Sequence, residues 1–147
     1  MAKERGFNGI CAQVLIYPVT DCNFNNDSYN KYGGVECDPS RELMEWFFDQ
    51  YVPHESDRQK MTISPLKASI DNLRGLPPAL VLTCEADALL DEGEEYARKL
   101  LAAGVKVTAI RILGTPHGFL DMPYYDSSAA QAGIDQIVSM LHNVWKN

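Results

Sequence analysis

The sequence predicts an α/β protein built on a short parallel sheet, and three observations lead there. Apolar, strand-like segments alternate with helix-like ones along the chain. The connections between them are long enough to hold a crossover helix, which parallel neighbours require. Proline and glycine punctuate the segments where a strand or helix must stop.

The first strand is read over residues Ala12–Val19 (A-Q-V-L-I-Y-P-V), ending near Pro18 because proline cannot donate to a ladder. A second runs from Pro78 to Cys84, entered through the break at Gly75-Leu76-Pro77-Pro78. The third, Val105–Leu113, alternates and is rich in β-branched residues. Between the second and third strands a helix is expected over Asp91–Ala103, its start read as a capping box in which Asp91 accepts from the amide three residues on and Glu94 reaches back. Its apolar stripe is Tyr96, Ala97, Leu100 and Leu101, and Gly104 stands where a left-handed closing residue belongs. A last helix carries Ile134, Ile137, Val138, Leu141, Val144 and Trp145 at near-helical spacing.

Residues 21–76 are too long for a simple connection. They are rich in Asn, Asp, Ser and Tyr, then give a helical stripe of Met44, Phe47, Phe48 and Tyr51, opened by Asp38-Pro39-Ser40 and closed by Pro53. This reads as an insertion with its own helix over one end of the sheet. It is either a structural excursion with core aromatics or part of a lid or pocket wall.

The 147 residues suit one domain or a piece of one. Thirteen basic against twenty acidic residues leave a net charge of −7 with no basic run, which argues against a nucleic-acid partner and against anionic membrane surfaces. No apolar stretch is long enough to span a bilayer, and the first residues show no signal-peptide core. Cys11, Cys22, Cys37 and Cys84 lack the spacing of a metal or redox motif. Free thiols in a cytoplasmic chain are the expectation, with two disulfides the alternative, and neither metal nor cofactor is expected.

Two residues stand where chemistry is done in open parallel sheets, just beyond the carboxyl ends of strands. Asp87 follows the second strand. It serves either as a turn or helix-entry residue or as a carboxylate that orients a partner. His117 follows the third strand between Pro116 and Gly118, either as a surface histidine or as a base placed by its loop. His54, in a polar stretch, and His142, within the last helix, suit the role less well. Asp87 and His117 follow adjacent strands, so their loops leave on one edge. A carboxylate against an imidazole N–H fixes the tautomer and stabilises the imidazolium formed in acyl transfer. The order of acid before base matches the nucleophile–acid–base order of α/β-hydrolases.

Gln13-Val14-Leu15-Ile16-Tyr17-Pro18, Leu76-Pro77-Pro78-Ala79-Leu80-Val81, Asp87-Ala88-Leu89-Leu90-Asp91-Glu92-Gly93 and His117-Gly118-Phe119 together resemble the hormone-sensitive-lipase-like carboxylesterases. The likeness spans nearly the whole chain, and it rests on four motifs in the right order, each weak alone. Ala88 and Leu90 depart from the family's usual Pro and Arg without removing a reacting group. The resemblance implies that Asp87 is the triad acid and His117 the general base, with Leu89 and Phe119 lining the acyl pocket. It also implies that the three strands are the last of an eight-stranded α/β-hydrolase sheet, flanked by helices, with 21–76 on the cap side. The substrate would be a small acyl ester.

The family's Gly-x-Ser-x-Gly elbow and His-Gly-Gly-Gly oxyanion loop do not occur in these residues. Residues 1–6 resemble the end of the helix that follows the elbow, so the chain reads as the half beginning just after the nucleophile. The expectation is a carboxylesterase or lipase portion that is inactive alone. Its Ala12–Val19 strand, lacking the nucleophile strand as neighbour, would associate into a dimer or with the other half. The alternative is a non-catalytic module using the same fold to bind a ligand or protein.

Overall fold

The computed structural model describes residues 2–121 and 127–146. Its elements run β1 (Gln13–Ile16), α1 (Asp27–Tyr32), α2 (Arg41–Tyr51), α3 (Ile70–Leu73), β2 (Ala79–Ala86), α4 (Leu90–Ala102), β3 (Val107–Pro116) and α5 (Ser128–Trp145). The three strands form one parallel sheet in the order β1-β2-β3. β2 is central, and Leu80, Val81, Leu82 and Cys84 are almost wholly excluded from solvent. A strand with a neighbour on each side and helices over its faces has no polar side to offer, which is why it reads as an unbroken apolar run.

The ladders pair Gln13 with Ala79 through Ile16 with Leu82, and Ala79 with Val107 through Cys84 with Ile112. Beyond Cys84 the register shifts, and Ala86 meets Pro116. At that irregularity the Glu85 side chain accepts from the Gly114 amide at 2.7 Å. The shift carries the ends of β2 and β3 toward the same spot, where Asp87 and His117 follow.

The observed strands differ from the expected ones at their ends. β1 stops at Ile16 because Tyr17 turns into the left-handed region, with φ 36. β2 and β3 both run further toward their carboxyl ends than their apolar runs suggest, since pairing continues past the shift. Residues 3–5 form only a single 3-10 turn, closed by Gly6 at φ 71.

The expected capping box of Asp91 and Glu94 is absent. The N-cap of α4 is Leu89, and Asp91 lies inside the first turn, where its carboxylate accepts from the Ser28 amide at 2.7 Å. Glu94 pairs with Arg98 and Arg111. The helix begins earlier because Asp87 turns the chain: its Oδ1 accepts from the Leu89 amide at 2.9 Å. Of the α4 stripe, Tyr96 and Leu100 pack with Ala68, Leu73 and Val105, Ala97 is also buried, and Leu101 is exposed. Gly104 closes the helix at φ 80, as its place in the sequence requires. Gly93 allows close packing, since a Cβ there would stand 3.1 Å from Thr83 Cγ2.

α5 departs most from expectation. Only Ala130 and Gly133 are buried, against Phe119, Cys84 and Leu120, while Ile134, Val138 and Trp145 are exposed. Among the described residues, its apolar stripe has little to pack on.

Residues 21–76 hold α1, α2 and α3. Ser40 caps α2, accepting from the Leu43 amide, and Ser69 caps α3 in a reciprocal box with Asn72. Of the expected α2 stripe, Met44 and Phe48 are buried with Phe24, Tyr29, Ala88 and Leu89, whereas Phe47 and Tyr51 are exposed. The helical excursion therefore packs on the two residues that follow Asp87. No described helix is long and apolar enough to cross a membrane.

Candidate active site

Asp87 leaves β2 directly into a tight turn, and both carboxylate oxygens are used. Oδ1 accepts from the Leu89 amide, and Oδ2 lies 2.9 Å from His117 Nδ1. A carboxylate offers only acceptors, so Nδ1 is the donor and Nε2 is left for another partner. Asp87 is 2 % exposed, while the His117 side chain is 24 % exposed. The carboxylate is thus shielded, while the imidazole reaches solvent. One oxygen of Asp87 thus serves the turn and the other meets the imidazole.

His117 is delivered by the end of β3 and released by Gly118 at φ 74, after which the Asp121 amide bonds back to the Gly118 carbonyl. His54 precedes a 3-10 turn and His142 sits exposed on α5, and neither lines the cleft beside His117.

That cleft, about 600 Å³, is lined by His117 and Leu89 together with Tyr17, Val19, Met44, Phe47, Phe48 and Ile63, among others. Leu89 is among the lining residues, with most of its side chain in the core. Phe119 is not. It is 1 % exposed and packs on Cys84 and Ala130, because the Gly118 turn sends the next side chain inward. A larger groove, about 790 Å³, runs between α5 and the sheet but touches neither Asp87 nor His117.

Sequence reasoning missed Tyr17 and Val19. The signal was available: they follow β1 as Asp87 follows β2 and His117 follows β3, and the same rule for strand ends points to all three. The Tyr17 ring centroid is 4.5 Å from that of His117, and its hydroxyl donates to Asp121 Oδ2 at 3.3 Å. Burial, then the Asp121 carboxylate, pushes the phenol up to about 12. Burial and the neighbouring Asp87 likewise push the Cys84 thiol up to about 12, so it is no nucleophile at neutral pH.

Behind the site, Glu92 is 2 % exposed. Its Oε1 accepts from the amides of Thr20 and Asp21, and the Thr20 hydroxyl donates to its backbone carbonyl. Burial outweighs those two amides and raises its pKa to about 8. Asp21 in turn pairs with Lys67 at 2.9 Å. Among the described residues, no group of three His, Cys, Asp or Glu side chains is placed to hold a metal ion.

Asp87 thus holds the His117 imidazole where two adjacent parallel strands end. The chain belongs to the α/β-hydrolase fold family, whose model matches residues 1–121. It is 38% identical over 122 residues to an ethyl acetate hydrolase of Pseudomonas putida, covering 83% of this chain and 37% of that protein. It is 37% identical over 131 residues to the carboxylic ester hydrolase LipN of Mycobacterium tuberculosis, covering 88% of this chain and 34% of that one. A solved fungal esterase from Rhizomucor miehei superposes with a TM-score of 0.91 at 51% identity, over 99% of this chain and 44% of the esterase. The chain thus spans under half the length of these relatives. They bear out the hormone-sensitive-lipase-like resemblance, and the family is one of carboxylic ester hydrolases.

Proposed function

We propose that this chain supplies the acid and the base of a serine carboxylesterase acting on small acyl esters. The observation that carries the reading is the Asp87 Oδ2–His117 Nδ1 hydrogen bond, with the imidazole opening onto an apolar cleft. Asp87 holds the tautomer, and His117 Nε2 takes the proton of a nucleophilic hydroxyl and returns it to the leaving alcohol. Leu89 and residues of 21–76 wall the acyl side of the cleft, and Phe119 supports from beneath.

The nucleophile and the oxyanion donors lie outside these 147 residues, since no serine here has glycines two positions to either side. A missing oxyanion donor alone removes about 3–4 kcal/mol of transition-state stabilisation. The isolated chain is therefore inactive toward esters. Four thiols suit a reducing cytosol. β1 pairs only with β2 among the described residues, so its other edge is open to a strand from the rest of the enzyme or from a second copy.

The test is a chimera in which these residues replace the matching portion of the Rhizomucor miehei esterase. It hydrolyses 4-nitrophenyl acetate, and His117→Ala lowers kcat by roughly a thousandfold or more. The isolated chain shows no turnover and no serine labelling by a fluorophosphonate. A chimera indifferent to His117→Ala, or stoichiometric labelling of the isolated chain, overturns the proposal.

A further inference from the structure

Asp87 grips one atom of the imidazole, and the residues beside His117 are a proline and a flexible glycine, so the hydrogen bond alone leaves the ring plane free to tilt. Something must cover a face of the ring. Tyr17 packs against it at a tilt: the two rings meet at 4.5 Å between centroids and 57° between planes. The Tyr17 ring also meets Phe119 edge-on at 6.0 Å, which gives that buried phenylalanine a purpose.

Tyr17 is itself held from several directions. Its amide donates to the Leu82 carbonyl at 2.7 Å, and its hydroxyl donates to Asp121, four residues past His117. Three and four residues on, the Thr20 and Asp21 amides are fixed by the buried Glu92 of α4. Tyr17 also sits at φ 36, the one described residue other than glycine in the left-handed region. A bulky residue is costly there, and such strain persists only where the surroundings over-determine it. Glycine would fit that backbone without strain, but it would have no ring to lay on His117.

We propose that Tyr17 is a positioning residue whose ring, carried on a strained backbone between β1 and the Glu92 clamp, holds the His117 imidazole in the plane that Asp87 requires. This rests on the proposed role of His117 as the base, and two separate readouts keep the two claims apart. The first needs no turnover. In the 147-residue chain, NMR of the histidine rings shows cross-relaxation between the Tyr17 and His117 rings and a low-field Nδ1 proton protected by Asp87. Tyr17→Phe keeps that proton. Tyr17→Leu loses it to exchange and removes the ring-current shift of the His117 carbon-bound protons, while the backbone amides of β2 stay in place.

The second readout is kinetic. In the chimera described above, Tyr17→Leu lowers kcat about tenfold with KM little changed, whereas Tyr17→Phe stays within about twofold of the parent. A Tyr17→Leu protein that keeps the Nδ1 proton and its shifts overturns the positioning role. So does a parent chain without Tyr17–His117 cross-relaxation, a measurement that stands even if the leucine variant fails to fold. An inert chimera with the ring signature intact refutes the hydrolase reading and leaves the positioning role standing.

Discussion

Replacing Glu92 with glutamine isolates what one buried carboxyl does to the pH dependence of folding. The carboxyl accepts two backbone amides on Oε1, while Oε2 finds no hydrogen-bond partner among the described residues. Its pKa lies at about 8 in the folded chain against an ordinary 4.5, and burial is the leading cause. Between those values the folded chain keeps a proton that the unfolded chain has released. The free energy of unfolding therefore falls as pH rises, by up to about 1.4 kcal/mol per pH unit from this group. The contribution is full below the unfolded value, declines across the window and is gone above the folded value. Glutamine cannot titrate, yet its carbonyl accepts the same two amides. Glu92→Gln accordingly flattens the stability profile over roughly pH 5 to 8 and leaves the variant the more stable protein at the alkaline end. Urea unfolding followed by far-UV circular dichroism, in small pH steps at constant ionic strength, measures both profiles. Parallel profiles for parent and variant would refute the reasoning, since Glu92 would then titrate alike in both states.

Two further outcomes are expected. Leu100 of α4 is fully buried in a cluster with Ala68 and Val105, so Leu100→Ala costs about 2–5 kcal/mol in the same urea experiment, and a loss under about 1 kcal/mol would show a core that collapses to fill the space. Gln13 of β1 donates to the Pro78 carbonyl just before β2, and Tyr17, just past β1, donates to Leu82 of β2, so the Val14 amide faces the open edge. Val14→Pro therefore shifts light scattering toward the monomer at high concentration, and a parent chain that is monomeric at every concentration would remove the edge as an association site.

What could be read from residues alone was what local chemistry decides. The apolar run of β2, the Gly104 closure and the Asp87–His117 pairing all follow from short-range pattern plus the rule of strand ends. The misreadings share a different cause. Asp91 has the right neighbours for a capping box, but a tertiary partner, the Ser28 amide, takes its carboxylate, and Asp87 opens the helix instead. Phe119 adjoins a site residue in sequence, but one glycine turn is enough to send it into the core. The α5 stripe has helical spacing whether or not anything covers it, so periodicity could not reveal that Val138 and Trp145 stay exposed. Tyr17 was legible as the end of a strand. Its left-handed backbone was not, because a residue before proline normally stays extended.

The two oxygens of Asp87 make one backbone amide a gauge of the site. Leu89 N–H is bound by the same carboxylate that holds His117, yet it does not touch the imidazole. Any event that redistributes charge on the ring, a proton gained or a molecule drawn to Nε2, changes how strongly Oδ2 is engaged and so how strongly Oδ1 attracts that amide. The nitrogen and proton shifts of Leu89 therefore register occupancy of the cleft from the protein's interior. Ligands can be screened against this chain by one resonance, with no turnover to follow.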